Sequence, residues 1–216
     1  MGLADLESFM DVNAIRSVSK EIAKSAGLAL PDHLPLLEAS LELRSQNDAI
    51  SRLLCLTAVG AASYGFDRGK ALAWLRQEKL EGLLAKDEIA FIRGGEGFPQ
   101  AFQVQIEGMW ALAWALTLVP NLDFWQDCDS RFVTLLPNLK ISQTSDEWQR
   151  KARYRKTEEV VAACDLAYCL HWAVRQAEIA GKPTPARLKS YVVIERRRAL
   201  EWLLGNDAWD AVPLDT

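Results

Sequence analysis

Histidine is scarce in this chain: His33 and His171 are the only two in 216 residues. Neither stands in an E-x-x-H or H-E-x-x-H spacing, which excludes the di-iron and zinc-protease patterns. The four cysteines, Cys55, Cys128, Cys164 and Cys169, form no C-x-x-C pair. Cys164 and Cys169 are five apart, on different faces of a helix, so no zinc site is expected, and neither metal nor cofactor. Three of the four lie in apolar helical patterns, which predicts buried free thiols in a reducing compartment. No apolar run reaches the length of a membrane span; the richest, residues 109–119, is too short. The start of the chain shows no basic segment followed by an apolar one, and Leu6 stands where myristoylation needs Ser or Thr. These readings place the protein in the cytoplasm. Positive charge is not in excess either: the net charge is −4 and the pI is near 5.3. The overall field does not draw phosphate backbones, so nucleic acid is not an expected partner.

Apolar bulk is plentiful. Half the residues are hydrophobic, and eight Trp and seven Phe are among them. Each buried aromatic removes roughly 150–250 Å² from water, enough for a large core without disulfides or metal. Nothing in the middle reads as a linker, so residues 1–216 are expected to form a single domain.

Helical periodicity runs through most of it. Residues 11–26 carry Val12, Ile15, Val18 and Ile22 on one stripe and stop at Gly27. Leu36 to Leu43 reads as a short helix after the turns at Pro31 and Pro35. Ser45 caps a helix to about Ser63 with Ile50, Leu53, Leu54, Thr57 and Ala61 inward, and Asp67 caps the next. After a Gly-rich loop at residues 94–99, residues 100–119 predict one continuous helix stopped by Pro120. Ser145 is placed to cap a helix that continues, with a break near Thr157, to Ala180. Thr184-Pro185 opens the last helix, which Gly205 closes after Leu204. No run alternates with period two long enough for a strand. The fold class is all-α, a multi-helix bundle with a C-terminal tail packed on it.

The last helix and tail read Glu195-Arg196-Arg197-Arg198-Ala199-Leu200-Glu201-Trp202-Leu203, then Trp209-Asp210-Ala211-Val212 and Asp215-Thr216. They resemble the end of the bacterial family called domain of unknown function 4272, whose pattern is E-R-x-x-A-L-N-W-L, then W-D-x-V and D-T. Leu43-Arg44-Ser45, Glu107-x-x-Trp110 with Trp114-Ala115-Leu116, and His171-Trp172-Ala173 are similar to other segments of that family. Glu201 stands where the family has Asn. The resemblance implies a helical cytoplasmic domain and supplies no activity.

No nucleophile set is assembled by the sequence. Residues 60–65 have one residue too many before Ser63 for a nucleophile elbow and no strand before them. The Gly-rich loop lacks a following Lys-Ser/Thr, and Glu96 within it repels anions. Arg150, Lys151, Arg153, Arg155 and Lys156 around Tyr154 read as a solvated turn more than as a phosphate-binding surface. Of Arg196, Arg197 and Arg198, about 100° apart on a helix, at least one must face inward and needs a carboxylate. Glu107 lies one turn before Trp110 on an apolar face, where an unpaired carboxylate is costly. It is therefore expected within ion-pair distance of an arginine, Arg196 first and Arg44 second. Arg44, Glu107, Trp110, His171, Arg196 and Asp210 form the candidate ligand-binding set.

Two functions remain open at this point. One is a non-catalytic binding or protein-interaction module, with aromatic anchors at residues 98–102 or at Phe124-Trp125. The other is a small-molecule enzyme or ligand-binding protein using a buried Glu/Arg/Trp pocket. The partner in the two cases is a protein or a small molecule.

Overall fold

The computed structural model describes residues 10–38, 41–95 and 98–215, and all of the described secondary structure is helical. The reading of the chain start, Glu96 and Gly97 of the Gly-rich loop, and Thr216 lie outside the described residues. The helices are α1 (Val12–Ser25), α2 (Gln46–Ser63), α3 (Arg68–Gln77), α4 (Lys86–Ile92) and α5 (Pro99–Gln103). They continue with α6 (Ile106–Ala115), α7 (Asp146–Lys151), α8 (Thr157–Ile179) and α9 (Ser190–Leu204). Neighbouring elements form a row, α2–α6–α9–α8–α1, with α3, α4 and α5 packed on α2. No described helix is long and apolar enough to cross a membrane.

Three helices start where the side-chain chemistry says they should. Asp11 accepts from the backbone of Asn13 and Ala14, Ser45 from that of Asp48 at 3.1 Å, and Asp67 from that of Lys70 at 2.8 Å. Ser145 departs from expectation. It precedes α7, but its N–H and O–H both donate to Glu78, so it ties α7 to the end of α3 rather than capping.

α2 is the central element, buried without interruption from Ala49 to Val59. An almost wholly apolar surface suits a helix covered on several sides. α6 and α9 approach closely because Gly108 has no side chain: a Cβ there would sit 3.2 Å from the Glu195 carbonyl and 3.4 Å from the Trp209 ring. The tail thus packs on α6 at the point where α6 meets α9.

Several boundaries differ from the sequence reading. Leu36–Glu38 and Leu41–Leu43 are not helical, and residues 39 and 40 lie outside the described set. The expected helix over 100–119 is two, broken at Val104-Gln105, and α6 ends at Ala115 rather than at Pro120. Its last carbonyls are taken from outside: Arg155 donates to the carbonyls of Trp114 and, through its backbone, Ala115, while the Arg153 N–H donates to Leu116. Thr117 then turns the chain with φ of 57°. The helix can stop early because a crossing segment satisfies its end. Pro185 opens only a 3₁₀ turn, Pro185–Arg187, and α9 begins at Ser190. On α1, Val18 is exposed and the buried positions are Arg16, Ser19 and Ala23. The helix is rotated by the ion pair between Arg16 and Asp165 of α8, both buried.

The thiols are free, and Cys55, Cys164 and Cys169 are buried. Burial pushes the Cys55 and Cys128 thiols up to about 12 and Cys169 to about 11, and Cys164 is raised as well. A thiol reagent at pH 8 should therefore label at most Cys128 in the folded protein and all four after unfolding, with no prior reduction. Fast labelling of two or more native thiols would contradict this arrangement.

Candidate functional site

The arginine triplet of α9 sends its members to different neighbours, as an advance of about 100° per residue requires. Arg196 turns to α6. Its Nε donates to Glu107 Oε2 at 2.9 Å and Nη2 to the same oxygen. Nη1 donates to the Asp123 carbonyl and Nη2 also to that of Gln126. The second oxygen of Glu107 accepts the Cys128 N–H at 3.0 Å. Both side chains are almost wholly buried. The pair therefore clasps the 123–128 loop onto α6 and α9, with both carboxylate oxygens and every guanidinium nitrogen occupied.

Arg197 turns to α8 and the tail. It donates to Glu201 through Nε at 2.6 Å, to His171 Nδ1 at 2.6 Å, and to the carbonyls of Leu214 and Asp215. Arginine can only donate, so Nδ1 is the acceptor and His171 is neutral. Burial, and then the charge of Arg197, hold the His171 pKa down at about 4. Glu201, where the resembling family has Asn, is the Arg197 partner, and burial raises its pKa. Arg198, more exposed, lies 3.4 Å from Glu195, whose pKa burial raises.

Arg44 is elsewhere. Its backbone N–H donates to the Leu203 carbonyl and its guanidinium to those of Trp202 and Asp207. A cation that satisfies the last carbonyls of α9 is favoured there by the helix dipole. The guanidinium also stacks 4.4 Å from the Trp202 ring centroid.

The six candidate residues are thus divided among three places. Trp110 and Arg196 line a cleft of about 580 Å³ beside the 119–135 loop, with Glu107 beneath it. Trp110 is engaged there by its N–H bond to Asn121 and an edge contact with Phe132. His171, on α8, faces Arg197 of α9. Arg44 and Asp210 line a second cleft, of about 500 Å³, between the first turns of α2 and α4 and the 206–210 turn.

This second cleft contains residues the sequence reading did not select. Arg52, buried, gives both of its hydrogen bonds to Glu88 from Nη2, and its guanidinium stacks 5.2 Å from the Trp209 centroid. Trp209 meets Trp202 edge-on at 5.8 Å. The order is Arg44, Trp202, Trp209, Arg52, each in contact with the next. Among the described residues Arg52 Nε has no hydrogen-bond partner, although it is shut off from bulk water. Such an N–H costs about 1–3 kcal/mol. Asp48, Ser51, Lys86, Asn206 and Asp207 complete the polar part of the lining.

Two expected surfaces change on inspection. Of the aromatics expected there, Phe98 is exposed, at 83%, Trp125 is partly buried, and Phe102 and Phe124 are buried. In the basic turn, Arg155 stacks on Trp114 and donates to three carbonyls, and Arg153 donates to two. Both guanidiniums serve the fold. Among the described residues no group of three or more His, Cys, Asp or Glu is arranged to hold a metal.

A family model described as domain of unknown function (DUF4272) matches residues 16–212, a span that includes both clefts. No curated protein and no solved structure matches the chain.

Proposed function

Because the chain belongs to the DUF4272 family, whose description assigns no activity, we propose its function from the site alone: the domain binds a small polar ligand without transforming it. Arg52 carries this reading: its guanidinium stands in the wall of an open cleft, and among the described residues its Nη1 makes no hydrogen bond. The Glu107–Arg196 pair supports it from the other side. With its oxygens and nitrogens already bonded, it acts as an architectural clasp under the loop and offers nothing to a substrate. His171, also in the candidate set, is closed off by Arg197 and held neutral. Arg44 and Asp210 are the members of that set that belong to the binding cleft, joined by Asp48, Ser51 and Arg52. Four free thiols support a reducing compartment such as the cytoplasm.

A library of polar metabolites, screened by thermal shift, tests the reading. At least one compound should raise Tm and slow amide exchange in residues 44–52, 83–86 and 202–210, and it should be recovered unchanged. Protection confined to residues 119–135, or turnover of the bound compound, would overturn it.

A further inference from the structure

Asp48, Ser51 and Arg52 stand at positions i, i+3 and i+4 of α2, so they share one helix face and all line the second cleft. Two donors are inner groups: Ser51 and Arg52 are both buried, at 8% and 5% exposed. The carboxylates of Asp48, Asp207 and Asp210 and the ammonium of Lys86 are exposed at the rim. One helical turn, about 5.4 Å, separates the level of Asp48 from that of Arg52. Leu83, 55% exposed, adds an apolar wall.

A simple anion site does not have this form, because the rim carboxylates of Asp48, Asp207 and Asp210 outnumber its exposed cation, Lys86, and repel phosphate and nucleic acid. A simple cation site does not place an arginine with an unbonded Nη1 at its base. Donors within and acceptors one turn outward match a molecule that carries an oxyanion and an ammonium a few ångströms apart. Resting on the binding reading above, we propose that this cleft takes a free α-amino acid with an apolar side chain. The carboxylate lies against Arg52 and the Ser51 hydroxyl. The ammonium faces Asp48 and Asp210, and the side chain lies along Leu83.

The test uses the full chain and three probes, by titration calorimetry. Leucine is the complete ligand, 4-methylpentanoate lacks the ammonium, and 3-methylbutylamine lacks the carboxylate. Leucine should bind saturably, and each analogue at least about tenfold more weakly, since a charge-assisted bond is lost at one end. Ser51→Ala should weaken leucine and 4-methylpentanoate alike, by about fivefold. Asp48→Asn should weaken leucine and leave 4-methylpentanoate unchanged. Arg52→Lys removes the Glu88 fork and is expected to unfold in part, so the first two variants, checked for a native melting transition, carry the result. Absence of leucine binding at millimolar concentration, equal binding of leucine and 4-methylpentanoate, or an Asp48→Asn variant that binds leucine like the parent overturns the proposal. If leucine fails while a different metabolite protects the same cleft, the binding reading stands and the amino-acid assignment alone falls.

Discussion

Arg196→Met should lower the unfolding free energy by about 3–5 kcal/mol, the range for breaking a buried pair by removing one partner. The loss has two sources. Glu107 would be left as a buried carboxylate with the Cys128 N–H as its remaining partner. The carbonyls of Asp123 and Gln126 would lose the donor that ties their loop to the bundle. Glu107→Gln should cost less, about 1–3 kcal/mol, because its amide oxygen still accepts one of these hydrogens. The double variant Glu107→Leu, Arg196→Met should recover part of the loss, since apolar groups of similar volume can replace a buried pair. Urea denaturation of wild type, Glu107→Leu, Arg196→Met and the double variant gives the cycle, with Glu107→Gln measured beside it. A loss below about 1 kcal/mol for Arg196→Met would mean that the clasp is not structural, and the cleft above it would regain interest as a ligand site.

What was legible follows from what a single sequence encodes locally. Helix periodicity and caps at Ser45 and Asp67 gave the class and most elements. The Glu107–Arg196 pair was legible because a carboxylate on an apolar face has few solutions in a buried setting. The same logic applied to Arg52, a charged residue inside the apolar stretch 49–59, would have found the second cleft. The early end of α6 was illegible. It depends on Arg155, about forty residues later, supplying donors to its terminal carbonyls. The exposed side of α1 depends likewise on Asp165 drawing Arg16 inward. Contacts of that range rotate or shorten a helix without leaving a mark in its own periodicity. Arg44 shows the limit most clearly. As a cation it was equally suited to Glu107 and to a helix C-terminus, and only the fold decides that it caps α9.

Acid should destabilise this protein through His171, and the sign is fixed by its neighbours. The imidazole is neutral in the folded state with a pKa of about 4, while the unfolded chain has the ordinary value near 6.5. Between those values the unfolded chain binds the extra proton. The contribution is complete above about pH 6.5 and is lost as pH falls through the folded value, about 3 kcal/mol in all. Protonation would remove the Nδ1 lone pair that receives Arg197 and set two cations 2.6 Å apart, so the tail bonds to Arg197 would loosen first. Glu195 and Glu201 act in the opposite direction, because burial raises their pKa values and folding then favours their protonated forms as pH falls. The wild-type profile alone is therefore a sum of opposing terms. The clean measurement is the difference between wild type and His171→Gln, which keeps an acceptor for Arg197 and cannot titrate. That difference should shrink by about 3 kcal/mol between pH 7 and pH 4 as the wild type loses its advantage, with residues 212–215 the first to gain amide exchange. A difference that stays flat across this range would show that His171 accepts no bond from Arg197 in solution, and that the tail is held by other contacts.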